Sequence, residues 1–218
     1  MTASATIIWD WNGTLLNDVE YSIQTMNSLL SERGLDLIDY EKYRQWFEFP
    51  VIKYYQKLGF DFTHESFEEV GLEFMKRYFA GMDSIKLYDQ AESTLRWFRS
   101  IGCPQMILSS MEQEMLGKML KNLNILDFFE FVVGIDNHYG GGKIEAAHKL
   151  HSMLNPKDNR VLLIGDTLHD AEIGQQMGYR VVLVSHGHQD HQVLRKANVP
   201  VMGDLAELVG WFYTSTIK

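Results

Sequence analysis

The chain has 218 residues, of which 45% are hydrophobic and 22% charged, as expected of a soluble globular protein with a substantial core. It carries 20 lysines and arginines against 29 aspartates and glutamates, and the resulting net charge of −9 argues against binding to nucleic acid or to an anionic membrane. The single cysteine, Cys103, excludes an internal disulfide, and no apolar run approaches the roughly 18 residues of a membrane span.

The N-terminal residues, MTASATIIWDWNG, lack the charged region of a signal peptide and run directly into a strand-like motif, so we expect a cytoplasmic protein. Short apolar runs then alternate with amphipathic segments along most of the chain. The apolar runs occupy residues 6–10, 105–109, 131–135, 160–166, 180–185 and, more weakly, 200–202. Most are rich in β-branched residues and apolar on both faces, which is typical of buried parallel strands.

Amphipathic segments lie between these runs and predict helices. They cover residues 91–101, 113–123, 143–154, 170–177 and 205–212. The alternation of strand and helix predicts an α/β fold with a doubly wound, Rossmann-like parallel sheet.

The region between residues 17 and 86 breaks this alternation. Helical periodicity covers residues 17–33, 41–58 and 64–82, and no clear strand is present. Gly34 and Gly59 end the first two stretches, and Pro50 predicts a break within the second. We therefore predict an α/β core made of residues 1–16 and 87–218, with a helical cap inserted at residues 17–86.

The polar residues that end the apolar runs are the candidates for chemistry, because open parallel sheets bind ligands at the carboxyl ends of their strands. They are Asp10 with Trp11-Asn12-Gly13-Thr14 after it, the pair Ser109-Ser110, Lys143 after Gly140-Gly141-Gly142, and Asp166 with Asp170 four residues on. Acidic, basic and hydroxyl groups are thus predicted to converge on one edge of the sheet.

These motifs resemble those of the haloacid dehalogenase-like superfamily. The segment from Asp10 to Thr14 resembles its D-x-D-G-T nucleophile motif, Ser109 its second-motif Ser/Thr, Lys143 its third-motif lysine, and 165–170 its acidic G-D-x-x-x-D motif. The order matches over nearly the whole chain, and a helical insertion between the first two motifs is what the family calls a C1 cap. The overall pattern is most similar to phosphoglycolate-phosphatase-like members.

The resemblance implies a Mg²⁺-dependent hydrolase that acts on a small phosphate monoester, such as a phosphoglycolate-like metabolite. Asp10 would attack the phosphorus and form an aspartyl-phosphate, and Lys143 would pair with Asp10 and the phosphoryl group. Asp10, the backbone carbonyl of Asn12 and Asp166 would bind Mg²⁺, an ion that prefers oxygen ligands. Asp170 would ligate through water or hold the metal's other ligands in place.

The remaining motif residues would bind the substrate. Ser109 and the backbone amides near Gly13 and Ser110 would hold phosphoryl oxygens, and Thr14 belongs to the same motif. Gly13 permits a tight turn close to the ligand. The expected partner is a small phosphorylated metabolite, with neither nucleic acid nor membrane, and the protein is expected to be a monomer or dimer.

Position 12 departs from the family pattern. Phosphatases of the superfamily carry a second aspartate there, which serves as general acid and then as base, whereas Asn12 cannot exchange a proton usefully at neutral pH. Positioned acid–base help is worth about 10²–10⁴-fold, so phosphoryl transfer to Asp10 is expected to be slow for poor leaving groups. Substitution of Asn12 by Asp is then expected to raise turnover on alkyl phosphates.

Three functions remain compatible with Asn12. In the first, the protein is a slow or specialised phosphatase in which His169 or Glu48 replaces the missing acid. Alternatively, it resembles phosphonoacetaldehyde hydrolases, which carry Ala at this position and form a Schiff base with a cap lysine, here Lys53. The third alternative is a degenerate member that binds phosphorylated ligands without turnover.

The remaining aromatic, histidine and basic residues near the motifs are predicted to have structural rather than catalytic roles. Trp9 and Trp11 are predicted to pack on the face of the sheet opposite Asp10. The segment 186–191 (HGHQDH) is predicted to be a polar loop, because spacings this small rarely place three zinc ligands tetrahedrally. Arg44 and Lys53 are expected on a solvated face of the cap, with binding of a substrate carboxylate as the alternative.

Overall fold

The computed structural model describes residues 5–135, 142–154 and 160–216, so Gly140 and Gly141 of the predicted loop lie outside the described residues. Its strands are β1 (Thr6–Trp9), β2 (Leu16–Asn17), β3 (Lys86–Leu87), β4 (Gln105–Glu112), β5 (Phe131–Ile135), β6 (Val161–Gly165), β7 (Arg180–Val184) and β8 (Val201–Met202). Six of them form one parallel sheet in the order β5-β4-β1-β6-β7-β8. The predicted α/β fold is therefore confirmed.

Helices connect the strands and cover both faces of this sheet. They are α1 (Val19–Glu32), α2 (Tyr40–Trp46), α3 (Val51–Lys57), α4 (Phe67–Gly81), α5 (Ala91–Ser100), α6 (Gln113–Asn122), α7 (Lys143–Met153), α8 (Leu168–Met177), α9 (His191–Leu194) and α10 (Leu205–Thr216). Among the described residues no helix combines the length and hydropathy needed to cross a membrane.

Alternating side chains of the strands supply two apolar layers. In β1, Ile7 and Trp9 belong to the layer that also contains residues of α5, α6 and α10, whereas Ile8 belongs to the layer that contains residues of α7 and α8. Because successive side chains of a strand point to opposite faces, each strand contributes to both layers. Burial on both faces explains why these strands read as continuous apolar runs.

Residues 17–86, called the insert below, form helices α1 to α4. Pro50 separates α2 from α3, and Ser66 begins α4 with a capping box in which Ser66 and Glu69 exchange hydrogen bonds. The helices share an apolar cluster that includes Met26 and Tyr54. Pairing of Leu16 with Leu87 in the antiparallel ribbon β2–β3 brings the two ends of the insert together.

Candidate active site

The order of the central strands places the candidate residues at one edge of the sheet. Strand β1 lies between β4 and β6, so Asp10 after β1, Ser109 within β4 and Asp166 after β6 are neighbours. All three side chains line one cavity, and all three are buried. The edge is the carboxyl edge, where ligands of open α/β sheets bind.

Three carboxylates of this edge lie close together. One oxygen from each of Asp10, Asp166 and Asp170 falls within 4.8 Å of the others, and all three residues are buried. Thr14 Oγ1 lies 3.2 Å from Asp10 Oδ2 and 3.0 Å from Asp166 Oδ1. A hydroxyl has one hydrogen and can donate to only one of them at a time. The donor set therefore suits a cation that prefers oxygen ligands.

Lys143 is the only lysine or arginine among the described residues that line this cavity. It begins α7, is buried, and its Nζ donates to Asp10 Oδ1 and, at 2.6 Å, to Asp170 Oδ1. A lysine at a helix N-terminus opposes the helix dipole, and these two carboxylates compensate. One ammonium nevertheless faces three carboxylates.

The pKa values of the three carboxyl groups reflect both their burial and this imbalance of charge. Burial raises the pKa of Asp10 to about 6, although Lys143 acts in the opposite direction. Burial and the neighbouring carboxylates raise the pKa of Asp166 well above its ordinary value, against the charge of His188. Burial acts the same way on Asp170, but there the charge and hydrogen bond of Lys143 prevail and lower the pKa.

Asp170 is held on both of its oxygens. Oδ1 accepts from Lys143, and Oδ2 accepts from the backbone N of Thr167 at 3.0 Å and from its hydroxyl at 2.6 Å. These bonds cap α8. Asp170 thus accepts three hydrogen bonds, whereas Asp10 and Asp166 each accept one and share the single hydroxyl hydrogen of Thr14, which leaves those two more capacity for a further ligand.

The hydroxyl and glycine residues of the motifs lie around these carboxylates. Ser109 Oγ accepts from the backbone N of Met111 at 3.0 Å and keeps its own hydrogen for another acceptor, and Ser110 also lines the cavity. Gly13 has φ +72°, and a Cβ atom there would collide with Asp166 and His188. The catalytic, substrate-binding and metal-ligating roles of these residues stay predictions.

Asn12 lies in a hydrogen-bonded group that the sequence analysis missed. Its Nδ2 donates to Asp18 Oδ2 at 2.8 Å and to Tyr78 Oη at 2.9 Å, while Tyr78 Oη donates to the same oxygen of Asp18. Asp18 Oδ1 accepts from the backbone N of Gly13 at 2.8 Å and lies 3.3 Å from His188 Nε2. An acid, a tyrosine and a histidine therefore surround the position of the absent second aspartate.

Asp18 and His188 form a buried ion pair. Burial alone would lower the pKa of His188, but the carboxylate of Asp18 outweighs it and raises that pKa to about 9. Burial alone would raise the pKa of Asp18, but the charge of His188 and hydrogen bonds from His188, Asn12 and Tyr78 lower it. At neutral pH His188 is positive and Asp18 negative.

The segment 186–191 is a contact between the core and the insert rather than a solvated loop. His188 is buried, donates from its backbone N to Asp166 Oδ2 at 2.6 Å, and meets Tyr43 Oη through Nδ1 at 2.8 Å. Gln189 donates from Nε2 to the carbonyl of Phe47 at 2.7 Å. The segment is largely a polar loop, as predicted, but its burial against α2, where polar groups require partners, was not anticipated from the sequence.

Arg44 also differs from its expected place on a solvated face. Its guanidinium donates to the carbonyls of Ser185, of Gly187 at 2.8 Å and of Gln189 at 3.3 Å. These bonds occupy the group that was a candidate for binding a substrate carboxylate. Arg44 instead joins α2 to the loop that carries His188.

The alternative catalytic residues lie elsewhere. Lys53 is exposed on α3 and is not among the residues that line the cavity, so the geometry does not favour a Schiff base there. Glu48 forms an ion pair with Lys57 at 2.5 Å, and His169 stacks on Phe49 with ring centroids 4.7 Å apart. Neither Glu48 nor His169 lines the cavity.

Trp9 and Trp11 are fully buried, as predicted. Trp9 Nε1 donates to Gln105 Oε1 at 3.0 Å, and both rings belong to the apolar layer that contains α5 and α10. They support the strand that ends at Asp10.

A cavity of about 220 Å³ extends from the carboxylates into the insert. On the core side it is bounded by Asp10, Ser109, Lys143 and Asp166, and on the insert side mainly by aromatic and apolar side chains. Its two ends therefore differ in chemistry, one charged and one apolar.

A parallel sheet with buried carboxylates and a lysine at its carboxyl edge, beneath an inserted helical segment, defines an α/β protein with a carboxylate-based candidate active site. The chain belongs to the haloacid dehalogenase-like hydrolases, whose family model matches residues 7–184. The family and the enzyme class predicted from the sequence, a hydrolase, are thereby confirmed.

Relatives of known name agree with this assignment. A phosphoglycolate phosphatase of Pseudomonas syringae pv. syringae is 23% identical over 211 residues, which cover 93% of this chain and 78% of that protein. A phosphoglycolate phosphatase of Aquifex aeolicus is 26% identical over 185 residues, covering 84% and 85% of the two chains. A haloacid dehalogenase-like hydrolase from Streptococcus pneumoniae shares the fold with a TM-score of 0.80 at 21% identity, over 97% of this chain and 100% of that one.

Proposed function

We propose that this hydrolase is a Mg²⁺-dependent phosphatase that acts on a small phosphate monoester through an aspartyl-phosphate at Asp10, with residues 17–86 as its cap. The observation that carries the proposal is the buried Asp10 carboxylate, hydrogen-bonded to Lys143 and grouped with Asp166 and Asp170 within 4.8 Å. The named relatives, which are phosphoglycolate phosphatases, support a phosphate monoester as substrate.

The residues present fit a divalent cation, because the charges of Lys143 and His188 do not balance the four buried carboxylates of Asp10, Asp18, Asp166 and Asp170, and the pKa of Asp10 is raised to about 6. Asp10, Asp166 and the backbone carbonyl of Asn12 would hold Mg²⁺, with Asp170 keeping Lys143 in position. When bound, the ion supplies charge neutralisation for a phosphate dianion that meets a carboxylate.

In the first step an oxygen of Asp10 bonds to phosphorus while the bond from phosphorus to the ester oxygen breaks, and the leaving alkoxide takes a proton from solvent. In the second step water attacks the same phosphorus, the bond to Asp10 breaks, and water's proton is released. The sum is ester plus water giving alcohol plus phosphate. Lys143 and the Ser109 hydroxyl would hold the phosphoryl oxygens through both steps.

The test is release of phosphate from p-nitrophenyl phosphate with Mg²⁺ and after removal of the ion by EDTA. Wild type should be active only with the ion, and Asp10→Asn should lower kcat by about a thousandfold or more, because an amide does not form the acyl phosphate. Asp83→Asn, at an exposed acid of the insert, is the matched control and should retain activity.

Two results would contradict the proposal. Turnover by Asp10→Asn at the wild-type rate would exclude Asp10 as nucleophile. Tight binding of inorganic phosphate without hydrolysis of any ester would instead favour a protein that binds phosphorylated ligands.

A further inference from the structure

The insert side of the cavity is built from aromatic and sulphur-containing side chains. They include Met26, Phe47, Phe49, Tyr54, Phe67 and Phe74. A cavity of about 150 Å³ is enough for benzene, so about 220 Å³ holds a ring together with part of a phosphoryl group. Aromatic walls favour stacked or edge-on contact with another ring.

The cavity offers no positive charge to the leaving group. Among its described lining residues the cationic groups are Lys143, bonded to Asp10 and Asp170, and His188, paired with Asp18. On the insert side the charged lining residue other than Asp18 is Glu68, which is exposed. A carboxylate on the leaving group would therefore lose hydration against the aromatic wall and find no free counter-ion there, which is unfavourable.

Tyr54 contributes its ring to the apolar end of the cavity. The residue is 1% exposed and its hydroxyl oxygen is buried, so a ligand in the cavity does not reach that oxygen. Tyr54 therefore adds aromatic surface and no polar contact.

At the charged end of the cavity, Asn12 restricts which leaving groups can depart. Its amide has no acidic proton to donate where family phosphatases have an acid, so an ester oxygen that leaves as a stable anion is favoured. A phenol, with a pKa of about 10, meets this requirement much better than an alkyl alcohol.

We propose that the substrate class is an aryl phosphate monoester, whose uncharged ring occupies the aromatic end of the cavity. This inference rests on the proposed phosphatase function and differs from it in the leaving group. It separates this chain from its named relatives, because glycolate is a small alcohol that bears a carboxylate.

The test compares two substrates with Mg²⁺ that share ring and phosphate. One is the phosphate ester of 4-hydroxyphenylacetate, and the other is the same compound as its methyl ester, which removes the negative charge of the carboxylate. The methyl ester should have a kcat/KM higher by about tenfold or more, and phosphoglycolate should be the poorest substrate.

The possible failures are distinguishable. Equal or better hydrolysis of the acid or of phosphoglycolate would overturn this inference and leave the phosphatase function standing. Absence of hydrolysis for every ester, the methyl ester included, would overturn the phosphatase function and this inference with it.

Discussion

Asn12 is fixed by an acid that the family motif does not contain. Its amide donates to Asp18 Oδ2 at 2.8 Å, and Asp18 is buried and ionised. A carboxylate introduced at position 12 would face Asp18 at that distance, and two carboxylates so close share one proton. The single substitution Asn12→Asp therefore restores the family residue but not its environment. The rise in turnover on alkyl phosphates that the motif alone predicts for this substitution is then not expected in full.

A double variant that swaps the acid and the amide between positions 12 and 18 should restore acid–base catalysis. In Asn12→Asp with Asp18→Asn, the new amide can donate to the new carboxylate, and its carbonyl oxygen can still accept from the backbone N of Gly13. We expect kcat on an alkyl phosphate to rise by about tenfold or more above wild type, and Asn12→Asp alone to give a smaller gain or none.

An aryl phosphate with a good leaving group is the control for this exchange, because it needs no proton from the enzyme and its kcat should change little. Equal rates on the alkyl phosphate for wild type and the double variant would contradict a role for position 12 in proton transfer. Asp18→Asn alone separates the effect of the acid from that of its partner.

The sequence was sufficient to group the acids and the lysine, because parallel topology brings the ends of β1, β4 and β6 to one edge. Asp18 was missed because an acid directly before a helix reads as a cap, and here its side chain turns to Gly13 and His188 instead. His188 was missed because its partners, Asp18 and Tyr43, lie about 145 residues or more away along the chain. Only tertiary packing places such pairs.

At the scale of elements, helix α2 and the loop after β7 form one unit through Arg44. Replacement by Met should leave the carbonyls of Ser185, Gly187 and Gln189 without their donor and release the loop that positions His188. We expect kcat/KM to fall by about tenfold to a hundredfold, since small displacements in an active site are costly. Hydrogen exchange of residues 185–190 should become faster.

Lys42→Met is the matched control for Arg44. Lys42 lies on the same helix, with its ammonium over the ring of Trp46 at 4.4 Å. It should alter neither kcat/KM nor exchange in the loop. Wild-type exchange in Arg44→Met would show that the other contacts, such as the bond from Gln189 to Phe47, hold the loop unaided.

Elements with a strong periodic pattern were predicted to within a few residues, whereas most short ones, β8 excepted, were missed. Residues 105–109 were expected as a strand, but β4 continues to Glu112 through an irregularity in its pairing with β5 that no apolar pattern indicates. The ribbon β2–β3 and the four-residue α9 are too short for a periodic signal. Pro50 predicted the break between α2 and α3 because its missing N–H cannot continue a helix.

At the scale of the whole molecule, the buried charges determine how stability depends on pH. In the native protein the pKa of Asp10 is about 6, against an ordinary value of 3.8. Between pH 4 and 6 the native state therefore keeps a proton that the unfolded chain has released, and stability falls as the pH rises through this window. For Asp18 and Asp170, whose pKa values are lowered, stability is instead lost as the pH falls below about 4.

Deprotonation of His188 lowers the stability of the protein further at higher pH. With a native pKa of about 9 against an ordinary 6.5, it contributes stability that is complete below about pH 6.5 and lost as the pH rises through 9. The metal-free protein should therefore be most stable near pH 4–5, below the range in which most proteins are most stable. Thermal unfolding in EDTA across pH 3.5–9 measures this profile.

At pH values at which Asp10 is ionised, Mg²⁺ should restore the lost stability, since the cation balances the carboxylates and binds only the native arrangement. The ionised Asp10 costs on the order of 3 kcal/mol at pH 7.5, so the ion should raise Tm by about 5–10 °C there and by much less at pH 5. Asp10→Asn removes one charge of the cluster, so it should raise the metal-free Tm at pH 7.5 and reduce the response to Mg²⁺, whereas Asp83→Asn should do neither. Equal shifts at both pH values would mean that the ion does not bind these carboxylates, and the charge imbalance would then need another explanation.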